Sequence, residues 1–119
     1  MHVIIGGKFQ GKRAYAERLY GKFRHVSDLE LSDTIIPGLV VNVHMGVKRG
    51  LGCDYFAERI SVLRKCVIIC TEICGGIVPI DEASRRWRDE TGRLYQTLAR
   101  EAEIVDRVFA GLALRLKGE

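Results

Sequence analysis

With 119 residues, 47% of them hydrophobic and both charge signs interspersed among the 29% that are charged, the chain can bury one core but not two. That composition excludes a disordered chain, and no apolar run approaches the roughly 20 residues of a membrane span. The start MHVIIGGK lacks the charged leader of a signal peptide, so one cytoplasmic domain over residues 1–119 is expected, with no membrane span. A formal net charge of +4 suits an anionic ligand. Without zinc-finger spacing, a helix-turn-helix signature or interleaved aromatic and basic residues, a nucleotide is favoured over nucleic acid.

Val3-Ile4-Ile5 is an apolar strand that stops at Gly6-Gly7. From Gly11, residues Ala14, Leu19 and Tyr20 mark a helix with Lys12, Arg13, Glu17 and Arg18 on its wet side. His25-Val26-Ser27 reads as a short strand or turn, followed by a polar connection through Asp28, Ser32 and Asp33 to Pro37-Gly38. Leu39-Val40-Val41-Asn42-Val43 is β-branched without alternation, as in a strand covered on both faces. Met45 to Gly52, with three glycines and two basic residues, is expected as a mobile loop before a helix over 54–64. Val67-Ile68-Ile69-Cys70 then forms another buried strand. Beyond Pro79, the residues Ala83, Trp87, Thr91, Leu94, Leu98 and Ala102 fall on one helical face, with Asp81 as the N-cap. Ile104-Val105 and Val108 to Leu112 supply two short closing strands. Strands alternating with helices predict an α/β fold, a mostly parallel sheet with helices on both faces. Cys53, Cys66, Cys70 and Cys74 fit no zinc or redox spacing and are expected as reduced thiols.

Between the first strand and helix, Gly6, Gly7, Lys8, Phe9, Gln10, Gly11 and Lys12 satisfy the glycine, four residues, glycine, lysine half of the phosphate-loop (P-loop) pattern. Backbone N–H groups of such a loop surround phosphate oxygens, the helix turns its positive end toward them, and Lys12 reaches the terminal phosphates. These seven residues and Arg13 are the candidate nucleotide-binding set, for ATP or GTP. The other reading is a glycine-rich turn with a solvated lysine. The position after the lysine should offer a hydroxyl to Mg²⁺, yet it is Arg13, and Asn42 stands where an acidic second partner is expected. Both departures weigh against Mg²⁺, and nucleotide binding can survive where catalysis does not.

From Thr71 onward, Glu72, Gly76-Ile77-Val78-Pro79, Arg88-Asp89, Gly92-Arg93 and Gln96 carry a resemblance. In these residues the chain resembles the adenosylcobinamide kinase / adenosylcobinamide-phosphate guanylyltransferase family of cobalamin biosynthesis. Val108 to Lys117 is similar to the family's last strands, and Gly6 to Lys12 to its phosphate loop. The resemblance implies a P-loop nucleotide-binding fold and phosphoryl transfer to adenosylcobinamide, with Arg88 and Arg93 substrate-binding and a homo-oligomeric assembly. The catalytic candidates are Lys12, which would stabilise transition-state charge, and Glu72, which follows a buried strand and would act as general base or hold a metal-bound water, or else caps the turn. The family's guanylyl-accepting histidine lies in a segment without a counterpart before Leu39, and neither His25 nor His44 takes that role. Guanylyl transfer is therefore less expected than phosphoryl transfer. Three readings stay open: the transferase, a nucleotide-binding but catalytically degenerate partner or regulatory subunit, and a homo-oligomeric scaffold with a vestigial loop.

Overall fold

The computed structural model describes residues 1–22, 25–27, 38–73 and 81–118. The apolar runs become the strands β1 (His2–Gly6), β2 (His25–Ser27), β3 (Leu39–Val41) and β4 (Val67–Thr71), joined by β5 (Ile104–Phe109) and β6 (Leu112–Lys117). They form one six-stranded sheet in the order β2-β3-β4-β1-β5-β6. Five strands run parallel, and β6 turns back antiparallel on β5. β1 lies between β4 and β5, with Ile4 facing Ile69 on one side and Asp106 on the other.

Side chains alternate across the sheet, so each apolar run serves two cores. Ile4, Leu39, Val67, Ile69 and Val108 pack with Ala16 of α1 (Lys12–Tyr20). Val3, Val40, Ile68, Cys70 and Val105 face the other way. They meet α2 (Val43–Lys48), α3 (Cys53–Glu58), α4 (Ile60–Leu63) and α5 (Glu82–Glu101) through Val47, Phe56, Leu63, Leu94 and Leu98. Burying one leucine of this kind contributes about 1.5–3 kcal/mol. Helices on both faces of a mostly parallel sheet agree with the expected architecture.

The long helix follows its sequence closely. Asp81 caps it, its carboxylate accepting from the Ser84 N–H at 2.8 Å, and Thr91, Leu94 and Leu98 are its buried face. Trp87 Nε1 donates to the His44 carbonyl at 2.6 Å and ties α5 to α2. Arg86, Asp89, Arg93, Gln96 and Arg100 all lie in solvent.

Other expectations are corrected. The strand at Leu39 ends at Val41, because Asn42 adopts a left-handed backbone (φ 59°) that turns the chain directly into α2. The first half of the expected loop at Met45 to Gly52 is therefore helical, held by the burial of Val43 and Val47. The single helix over 54–64 is two short ones, interrupted at Arg59. The two short strands expected at Ile104-Val105 and Val108 to Leu112 are divided differently: β5 runs unbroken from Ile104 to Phe109, and the chain turns at Ala110-Gly111 into β6, which forms a hairpin with it. Cys66 and Cys70 are buried free thiols, with burial pushing Cys70 up to about 12, and Cys53 is a half-buried one. Cys74, Pro37 and the turn Gly76-Ile77-Val78-Pro79 fall outside the described residues. Among the described residues, no helix is long and apolar enough to cross a membrane.

Away from the loop, a polar cluster lies between α1 and the sheet, with Asp106 and His2 buried and Tyr20 and Arg115 reaching solvent. Asp106 is 1% exposed and accepts from Tyr15 Oη and His2 Nε2, each at 2.7 Å, and from Arg115 Nε. The other ring nitrogen of His2 meets Tyr20 Oη at 2.5 Å.

Candidate functional site

β1 ends at Gly6, and the loop that follows leads straight into α1 at Lys12. Gly6 is required by contact: a Cβ there would lie 2.5 Å from the Val108 carbonyl oxygen. Gly11 is required by conformation, since φ of 95° is left-handed. Phe9 takes a left-handed backbone as well, φ 59°, and its ring is fully exposed. A non-glycine residue held this way at a loop tip stores strain of about 1–3 kcal/mol, a feature that clusters at ligand-binding sites. Lys12 is folded inward, 8% exposed, and its Nζ donates to the Gly7 carbonyl at 2.5 Å. Burial lowers the ammonium from its ordinary value, opposed by the Glu72 carboxylate and Cys70.

The loop walls a cleft of about 740 Å³. Its floor comes from the carboxyl ends of β3 and β4, at Val41, Asn42, Ile69 and Thr71, with His44 of α2 beside them. Ligands of open α/β sheets bind at these strand ends. Lys8, Phe9, Gln10, Gly11, Lys12 and Arg13 all line the cleft, so six of the eight candidate nucleotide-binding residues share one wall, with Gly6 and Gly7 behind them. Three cations and the amino end of α1 meet there, as an oligophosphate requires.

The cleft does not fit Mg²⁺ well. Arg13, whose guanidinium opposes a cation, stands after the lysine, and among the described lining residues no carboxylate offers it a ligand. Nor do the described residues contain a cluster of three or more His, Cys, Asp or Glu side chains suited to a metal. Asn42 lines the cleft, where its neutral amide is a weak ligand at most.

Glu72 directly follows β4, and its N–H donates to the Gly6 carbonyl at 2.8 Å, which sets it beside the loop. Its carboxylate meets Arg107 Nε of β5 at 3.2 Å. Glu72 also borders a small cavity of about 200 Å³ with Arg88, Thr91, Gly92 and Tyr95 of α5. The Tyr95 hydroxyl donates to the Thr71 carbonyl at 2.6 Å. Arg88 thus shares the lining of this cavity with Glu72, whereas Arg93, five residues on, projects into solvent from a different side of the helix. Thr71 was not marked as a site residue by sequence, although its place at the end of a buried strand is the available signal. His44 is buried in α2, its ring 6.2 Å from that of Trp87. The side chain of His25 lies outside the described residues.

The sheet order, the glycine loop entering a helix and the cationic cleft at the strand ends define a phosphate-loop α/β protein. Residues 53–116, more than half of the chain, match the family described as cobinamide kinase / cobinamide phosphate guanyltransferase. The chain belongs to that family. It is also similar to a bifunctional adenosylcobalamin biosynthesis protein, CobP, of Pseudomonas aeruginosa, at 42% identity over 55 residues. That match covers 46% of this chain and 32% of the relative, so it spans about a third of the relative's length. The family match runs from α3 to β6 and does not include the glycine loop at residues 6–12.

Proposed function

We propose that the cleft binds the phosphates of ATP or GTP, and that the chain serves cobalamin biosynthesis as a nucleotide-binding partner or regulatory relative of the adenosylcobinamide transferases, with little phosphoryl transfer of its own. The observation that carries this is the convergence of Lys8, buried Lys12, Arg13 and the α1 amino end on one cleft. Arg13 supplies in place what Mg²⁺ supplies elsewhere, charge against the phosphates, without the ion's ability to bridge them through the reaction.

Calorimetric titration with GTP and ATP, with Mg²⁺ and with a chelator, tests this reading. Binding should persist in chelator, and Arg13→Ser should make it respond to Mg²⁺. Binding that strictly requires Mg²⁺ in the native chain would count against it, and no binding of either nucleotide would end it.

A transferase reading draws on a different observation, the approach of Glu72 to the loop and the cavity it lines together with Arg88. In that reading Lys12 stabilises charge on the transferred phosphoryl, Glu72 accepts the proton of the adenosylcobinamide hydroxyl, and Arg88, with Arg93 further out, holds the acceptor. Adenosylcobinamide phosphorylation that is Mg²⁺-dependent and lost in Glu72→Gln would establish it.

Homo-oligomerisation is supported by β6, whose Leu112, Leu114 and Leu116 are exposed beside Phe109 at the sheet edge. Leu114→Lys is expected to lower the mass seen in sedimentation equilibrium. A monomeric native chain would remove this part of the reading.

A further inference from the structure

We propose that the β5–β6 turn forms the back wall of the phosphate loop, and that Gln10 is the positioning residue that joins the two. This role rests on the nucleotide reading of the cleft. Although Gln10 sits where a loop residue would be expected to face phosphate, its side chain is engaged elsewhere. Its Oε1 accepts from the Ala110 N–H at 2.6 Å, and its backbone carbonyl accepts from the Gly111 N–H at 2.9 Å. Both ends of the residue are thus bonded to consecutive amides of the turn.

Those amides converge because of an uncommon backbone. Ala110 and Gly111 both have positive φ, 49° and 78°, the geometry of a tight two-residue hairpin turn. Glycine accepts this freely, whereas alanine does not, and the paired hydrogen bonds to Gln10 over-determine it. The loop side is similarly constrained, since Gln10 is flanked by Phe9 at φ 59° and Gly11 at φ 95°. Two further contacts run between the same parts. A Cβ on Gly11 would lie 3.5 Å from the Gly111 Cα, and one on Gly6 would strike the Val108 carbonyl.

The loop is therefore held from behind along its length, by β5 at Gly6 and by the turn at Gln10 and Gly11. A phosphate loop binds through the fixed directions of its N–H groups, so a device that fixes them lowers the ordering cost of binding. Gln10 does this through its two bonds to the turn.

The test combines amide hydrogen exchange at Ala110 in the nucleotide-free protein with calorimetric GTP titration, for the native chain, Gln10→Ala and Gln10→Glu. Gln10→Ala should release the Ala110 amide to faster exchange and weaken GTP binding about tenfold, the worth of one good neutral hydrogen bond, with little change in melting temperature. Gln10→Glu keeps an acceptor at the same reach and should restore Ala110 protection. Ala110 exchange that is equal in the native chain and Gln10→Ala overturns the proposal. So does undiminished GTP affinity in Gln10→Ala. A native chain that binds neither GTP nor ATP overturns it together with the nucleotide reading, a result told apart because the variant then has no affinity to lose.

Discussion

Lys12→Ala is expected to weaken GTP and ATP binding on the order of 100-fold while leaving the melting temperature unchanged or slightly raised. The lysine stem packs on Gly6, where a Cβ would lie 3.4 Å from its Cγ and Cδ, so the side chain is guided along the loop. Its ammonium donates to the Gly7 carbonyl, a contact that phosphate oxygens of higher charge density can replace. A hydrogen bond to a charged group contributes about 1.5–3 kcal/mol, and the upper half of that range is about 100-fold in affinity. Stability should not fall with it, because the variant removes a buried amine whose charged form burial disfavours. Calorimetry and thermal melting on the same preparations separate the two effects. Equal affinity in Lys12→Ala would show that the loop does not hold phosphate.

Much of this site was legible before any coordinates because its chemistry is local. Glycines at 6 and 11, an apolar strand before them and a helix after them occupy one short stretch of sequence, and each reflects a backbone need confirmed at Gly6 and Gly11. β1, β4 and α5 were legible for the same reason: continuous apolar runs and a strict helical period leave few alternatives. The misread elements turn on single backbone choices. Asn42 enters the left-handed region and converts the end of a strand into the start of a helix, and Asn is only moderately disposed to do so. Ala110 does the same at the hairpin, where composition gives no warning. Val43 looked like the end of a strand and Val47 like part of a loop, because the two are separated by glycine and by residues that also suit a loop. Long-range pairings were invisible for a different reason. Glu72 meets Arg107 and Gln10 meets Ala110 only because the sheet order sets β5 beside β1. By contrast, the separation of Arg88 from Arg93 could have been read from the helix period, which places residues five apart on different sides.

The other large effect is expected at the buried cluster, where Asp106→Ala should destabilise the fold by about 1–3 kcal/mol. Removing the carboxylate takes the acceptor from the His2 and Tyr15 donors and a carboxylate partner from Arg115, and these groups link β1, α1 and β6 to β5. The cluster also fixes a direction for pH. Burial would raise the Asp106 carboxyl, but the hydrogen bonds from Tyr15, Arg115 and His2 outweigh it and hold the group below its ordinary 3.8. Burial lowers His2 from 6.5 and prevails over the pull of Asp106 toward the protonated form. Both groups bind protons less readily in the folded state than in the unfolded one, so both contributions are present above the unfolded values and lost on acidification. For His2 the loss begins as pH falls below about 6.5, where the unfolded histidine takes up its proton first, and for Asp106 it begins only near pH 4. Urea unfolding midpoints should therefore drop between pH 7 and pH 5 in the native chain, and His2→Gln should narrow that drop. A drop of the same size in His2→Gln would assign it to another group and leave Asp106 as the acid-sensitive member of the cluster, titrating only well below pH 5.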